Sequence, residues 1–187
     1  PVLSADAAVK PDAPILHDNL TTMFRAERFA RGEDTGVKGN IAGHIQHKLG
    51  DIEKGFAEAD VIVEREFDTQ TVHQGYIEPH ASTAVWAPDG RVTIWTCTQS
   101  SFGVRSSTAA ILGIPESTIK VIPTEIGGGF GAKFTCYMEV PATVLSRKSG
   151  RPVKMVMDRK EVFEGTGPTA ATHMRCKIGA KKDGKIT

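Results

Sequence analysis

Cysteine is scarce in this chain, with three in 187 residues, and Cys97, Cys136 and Cys176 are widely spaced and form no C-x-x-C pair. That number and spacing argue against a disulfide framework and against a structural zinc, and fit a reducing, cytoplasmic setting. Charge of one sign is also missing: 23 basic residues face 22 acidic ones, a net charge of +1. A basic patch for nucleic acid or an anionic membrane surface therefore has no support in the composition. No apolar stretch approaches the roughly 20 residues of a membrane span, and no charged-then-apolar signal segment opens the chain. An initiating methionine is absent too, and only Lys185, Ile186 and Thr187 follow the Asp183-Gly184 turn. Both ends lead us to expect a piece of a longer polypeptide, with a returning strand begun and not finished.

Regular periodicity is missing from residues 1–50, where Asp12, Pro14, Asp18, Asn19, Gly32, Asp34, Gly36, Gly39 and Asn40 are turn formers. This stretch reads as an extended connector lying across something larger. His44 and His47 form an H-x-x-H pair without a third ligand nearby, so two solvated histidines are expected and no direct metal ligand is assigned.

From residue 51 the pattern changes. A short helix from Asp51 to Ala59, capped by Asp51 or Gly50, precedes a strand from Val61 to Phe67. Ser82–Ala87 and Arg91–Thr98 are strands joined through Pro88-Asp89-Gly90, a hairpin signal. Ser101–Leu112 reads as a helix with Gly113 past its end and Pro115 beyond it. Ile119–Ile122 is a strand. Pro141 restricts the next helix to a start near Glu139, because a proline in the first turn forfeits no helical bond. Arg151–Asp158 is a strand, Arg159–Glu164 a helical turn, and His173–Ala180 a strand. Strands interleaved with helices give a mixed α/β (α+β) fold.

One stretch carries most of the chemical information: Ile126-Gly127-Gly128-Gly129-Phe130-Gly131-Ala132-Lys133. Each glycine loses more backbone entropy on folding than any other residue, so four in five positions imply close approach of main chain to a ligand. A phosphate-binding P-loop fails, since Ala132 precedes Lys133 and Phe134 follows it. The dinucleotide pattern G-x-G-x-x-A is met by Gly127, Gly129 and Ala132, with Asp158 as a ribose acid, and leaves a nicotinamide-dependent dehydrogenase open. Against it, Pro123 and Glu125 interrupt what would be a doubly buried strand. A third possibility is a non-enzymatic module for subunit interaction, with the loop as its contact surface.

The Gly-Gly-Gly-Phe-Gly-Ala-Lys run, preceded by Thr98-Gln99-Ser100 and followed by Gly150-Arg151-Pro152-Val153-Lys154, resembles the large, molybdopterin-binding subunit of the molybdenum hydroxylases. This is the xanthine dehydrogenase and aldehyde oxidase family. Gln99 precedes Phe130 by 31 positions, as the family's glutamine does its phenylalanine. The resemblance covers about Gly50 to Thr187, so that residues 51–187 are the N-terminal, incomplete part of a molybdopterin-binding domain. It implies molybdopterin with molybdenum, either bare or as the cytosine dinucleotide, and iron–sulfur and FAD groups on partner chains or domains. It implies oxidation of a carbon centre by water-derived oxygen through a Mo–OH group, with a reductive relative of the 4-hydroxybenzoyl-CoA reductase type as the alternative.

The resemblance also places residues. Gln99 stands beside the metal's oxo ligand as catalytic and cofactor-binding residue, an amide that can donate or accept. Gly128, Gly129, Phe130 and Gly131 offer backbone N–H groups to the oxo and pterin region, with the Phe130 ring expected to be buried and to exclude water. Phe134 stands where purine-hydroxylating members carry a glutamate, which points away from purines and toward an uncharged aromatic ring or an aldehyde. Glu78, in Gly75-Tyr76-Ile77-Glu78-Pro79-His80, matches an acidic position that is structural in the family, whose catalytic base lies far toward the C-terminus. Cys97 is expected to pack, and Asp158 and Arg159 to close a strand end.

Overall fold

The computed structural model describes Val2, residues 4–26 and residues 31–187. In chain order the elements are α1 Ala5–Ala8, β1 Met23–Arg25, β2 Glu33–Asp34, β3 Gly43–Ile45, α2 Ile52–Ala57, β4 Val61–Thr69, β5 Ala81–Trp86 and β6 Val92–Thr96. There follow α3 Ser101–Leu112, β7 Ile119–Pro123, α4 Glu139–Ser149, β8 Val153–Val156, α5 Arg159–Gly165 and β9 Thr172–Ala180. The chain forms two compact units, Pro1–Thr69 with Thr172–Thr187, and Gln70–Ala171. The division falls at 69/70 and 171/172 rather than at residue 50, because β4 pairs along its whole length with β9.

In the first unit, residues 1–50 are not without regular structure. β1 pairs antiparallel with β2 and parallel with β3, a small three-stranded sheet. Asn40 ties the approach to it, donating from Nδ2 to the Ala8 and Pro14 carbonyls and accepting the Leu16 N–H. Asp51 caps α2, accepting the Lys54 N–H at 3.1 Å. The β4/β9 ribbon runs antiparallel from Val61↔Ala180 to Thr69↔Thr172.

The second unit is a mixed sheet in the order β7-β6-β5-β8. The hairpin β5/β6 turns at Pro88-Asp89-Gly90, where Gly90 takes a φ of 85° that a side chain would resist. β6 and β7 are parallel, which requires a crossover, and α3 supplies it. α3 lies against β7 and α4 against β5. Ala84, Val92, Ile94, Ala109, Ile119 and Ala142 form the core, with Trp86, Val121 and Met155 at its margin. Both long helices stop at a left-handed glycine, Gly113 and Gly150, each at φ 64°. Pro141 is the third residue of α4, where its missing N–H has no intrahelical acceptor to lose. The sheet's near edge thus delivers β6 and β7 side by side into two loops, Cys97–Ser100 and Thr124–Gly131.

Candidate functional site

These two loops and the segment before β5 meet in the second unit. The Gln99 N–H donates to the Lys133 carbonyl at 2.9 Å, and the Thr98 hydroxyl donates to the same oxygen at 3.1 Å. The Gln99 side chain then turns onto the glycine loop: Oε1 accepts the N–H of Gly131 at 3.1 Å and of Lys133 at 3.2 Å. With the oxygen held by two donors, the amide NH2 of this exposed side chain is left as the outward group. In this arrangement Gln99 can only donate.

The glycines have a more local explanation than close approach to a ligand. A Cβ at Gly127 would lie 2.7 Å from Glu78 Cβ, and one at Gly129 would lie 2.5 Å from Gln99 Oε1. At Gly128 it would meet the Phe130 ring and Tyr76 Cβ at 3.1 and 3.2 Å, on a backbone already at φ 92°. The loop is packed against its own support, and only Gly131, at φ 89°, faces open space. Phe130 is held at φ 49°, a left-handed conformation that bulky residues rarely adopt. Its ring is 73% exposed, not buried as expected, because that backbone turn throws the side chain outward while Tyr76 fills the space beneath the loop.

Among the described residues, the N–H groups of Gly128, Gly129 and Phe130 meet no acceptor. Gly129 is itself buried. An N–H on a buried residue is costly to leave without an acceptor, and the left-handed backbone of Phe130 adds strain to the same turn. A group rich in acceptor oxygens and nitrogens, such as a pterin with its oxygen-bearing metal, fits that demand. Gln99, Gly128, Gly129, Phe130 and Gly131 are therefore brought together. Phe134, half-exposed, lies just past Lys133 at the end of the same turn.

Lys133 and Glu78 were not linked by the sequence. Lys133 is 1% exposed, and its Nζ donates to Glu78 Oε2 at 2.6 Å and to the Glu78 carbonyl at 3.2 Å, 4.9 Å from the Tyr76 ring centre. The same Oε2 accepts the Gly127 N–H at 2.7 Å. The only signal was two opposite charges, each set in an apolar or glycine-rich context.

Tyr76, His80 and Thr166 are buried and form a polar cluster with the half-buried His73. His73 Nδ1 accepts the Gly75 N–H, so its Nε2 donates to Thr166 Oγ1 at 2.8 Å. Tyr76 Oη lies 2.7 Å from His80 Nε2 and 3.2 Å from Thr166 Oγ1. Burial pushes the His80 pKa below its ordinary value, and the nearby Lys133 charge adds to this against Glu139 and Glu78. Arg159 reaches the Tyr76 and Ile77 carbonyls. Cys97 is buried and its Sγ accepts the Ala81 N–H, a packing role.

The dinucleotide reading loses its footing here. No helix opens on the loop: a single 3-10 turn spans Ala132–Phe134, and α4 begins only at Glu139. Asp158 is the N-cap of α5 in a reciprocal capping box with Glu161, so its carboxylate is committed to the backbone. Among the described residues no three potential ligand side chains cluster about a metal, His44 and His47 included. No helix among them is long and apolar enough to cross a membrane.

Residues 34–187 match the molybdopterin cofactor-binding domain family. The chain belongs to this family. It is 31% identical to a probable hypoxanthine oxidase of Escherichia coli over all of its own length and 21% of that protein's. To the nicotinate dehydrogenase large molybdopterin subunit of Eubacterium barkeri it is 29% identical, over 92% of this chain and 41% of that one. Among solved structures, reconstituted CO dehydrogenase from Oligotropha carboxidovorans superposes with a TM-score of 0.66 at 32% identity, over 99% of this chain and 23% of that one. The chain thus spans between about a fifth and two fifths of the length of these relatives. Membership in a cofactor-binding family accounts for the glycine loop without a subunit-contact role.

Proposed function

We propose that this chain is the cofactor-cradling part of the large subunit of a molybdenum-dependent oxidoreductase that oxidises a carbon centre of an uncharged aromatic heterocycle or an aldehyde. The observation that carries the reading is the fixed polarity of Gln99: Oε1 is held by the Gly131 and Lys133 N–H groups, and NH2 faces outward beside three unpaired backbone donors. Bound molybdopterin supplies the two-electron redox metal and the oxygen to be transferred. The chain's own contribution is a preorganised set of donors for the anionic and acceptor atoms of that group, placed before it arrives and needing no rearrangement.

Phe134 supports an apolar wall for the substrate, since an exposed phenyl at this place gains affinity by burial and stacking. The three free cysteines sit in buried, half-buried and exposed positions. Separated thiols cannot ligate a cluster, so electrons leave through iron–sulfur and flavin groups on partner chains or domains. The free thiols also support a cytoplasmic setting. Iron, FAD and any cytidine nucleotide released by acid from the purified full-length complex test these partners and the form of the pterin; a preparation with molybdenum but neither iron nor flavin would refute the electron route.

In the full-length enzyme, Gln99→Ala is expected to keep its molybdenum and lose turnover by about 10²–10³, the cost of one preorganised donor. Unchanged turnover would remove Gln99 from the site. Phe134→Glu is expected to weaken an aldehyde or neutral aromatic substrate by several kcal/mol, roughly the penalty for burying a carboxylate beside it. An unaltered substrate profile would place Phe134 outside the pocket.

A further inference from the structure

We propose that Glu78 and Lys133 are a positioning pair, an ionic clamp whose task is to fix the donor face of Gln99; this rests on the reading of Gln99 above. The connectivity is continuous. Glu78 Oε2 takes the Gly127 N–H at the start of the glycine loop and the Lys133 ammonium at its end. Lys133 in turn holds Gln99 through its main chain, giving its N–H to Gln99 Oε1 and its carbonyl to the Gln99 N–H. One carboxylate oxygen therefore sets both ends of the loop, and the residue it anchors is the one that grips Gln99 on both sides.

Stability alone does not account for such a pair. The Lys133 side chain is 0% exposed and that of Glu78 30%. A buried ion pair is often no more stabilising than an apolar pair of equal volume, because desolvation offsets the attraction. What charge adds is direction: short, charge-assisted bonds define where the ammonium and the main chain behind it must lie. The support under Glu78 is equally directional, with Arg159 on the Tyr76 and Ile77 carbonyls and the Met157 N–H on the His80 carbonyl at 2.9 Å. The Lys133 side chain is fully enclosed and Glu78 Oε2 is taken up by Lys133 and Gly127, so neither is assigned contact with cofactor or substrate.

The test is a double-mutant cycle in the full-length, molybdenum-loaded enzyme using Glu78→Gln and Gln99→Ala. Glu78→Gln alone is expected to lower kcat about 10–100-fold, as loss of an outer partner does at metal sites, with molybdenum content unchanged. Added to Gln99→Ala, it is expected to change kcat by less than about two-fold, because residues acting through one another are not additive. The paramagnetic resonance spectrum of partly reduced molybdenum should shift in Glu78→Gln in the same sense as in Gln99→Ala. Lys133→Met, which removes the cation from the other side, supplies the same cycle independently if Glu78→Gln folds poorly. Losses that multiply, or a Glu78→Gln enzyme with wild-type kcat and spectrum, would overturn the proposal. If Gln99→Ala itself alters neither kcat nor spectrum, the reading of Gln99 fails first and the positioning role goes with it.

Discussion

Glycine 129 shows how one missing side chain can be a condition for another residue's function. Its virtual Cβ falls 2.5 Å from Gln99 Oε1 and 2.7 Å from the amide carbon. Gly129→Val would therefore displace the Gln99 amide and strip both of its loop bonds. In the full-length enzyme we expect molybdenum per subunit to drop sharply, and Gln99→Gly in the same chain, which vacates the space, to restore metal but not turnover. Full metal occupancy in the single variant would mean that the loop gives way instead. His80 makes a second prediction at this scale. Its folded pKa is lowered, first by burial and then by Lys133. The unfolded chain takes up the proton near the ordinary value of about 6.5, while the folded ring stays neutral to lower pH. Its contribution to stability is thus present above about 6.5 and lost as pH falls through the folded value. Melting temperatures between pH 8 and 5 should decline more steeply for the wild type than for His80→Gln; parallel curves would exclude it.

Among the elements, what the sequence revealed was governed by local chemistry. Gly113, Gly150 and Pro141 each act on their own turn, and the limits of α3 and α4 follow from them. The Asp89-Gly90 turn likewise specifies the β5/β6 hairpin without reference to anything distant. The strands β1 to β3 escaped because two or three residues cannot show an alternation that needs at least four. The β4/β9 pairing escaped for the opposite reason: Thr69 meets Thr172 across 103 positions, and no local signal encodes a partner that far away. The site divides in the same way. Gln99 and the glycine loop were legible from a run of motifs in order, whereas Lys133 and Glu78, 55 positions apart, became a pair only in three dimensions. Phe130 was misplaced because aromatic character suggests burial, while the left-handed backbone that exposes it is invisible in composition.

At the scale of the molecule, the first unit carries an apolar surface that is exposed among the described residues. Cross-strand partners share a face, so one side of the β4/β9 ribbon gathers Val61, Val63 and Phe67 with Met174 and Ile178, all at least 40% exposed. The other side carries Glu64, Glu66 and Asp68 opposite Lys177, Arg175 and His173, with ion pairs Arg175–Glu64 and His173–Asp68. A two-stranded ribbon is marginal in water unless its apolar face is covered. Contiguous apolar surface of this kind promotes association, and the ribbon's unpaired edges add hydrogen-bonding groups to it. Expressed by itself at tens of micromolar, the 187-residue chain should therefore sediment well above 20.1 kDa. Val63→Lys with Ile178→Glu places a complementary pair on that face, at directly opposed positions, and should return the chain to a monomer without loss of folded signal in circular dichroism. A wild-type chain that stays monomeric at that concentration would show that the apolar face does not drive association, and an assembly untouched by the two charges would place the contact elsewhere.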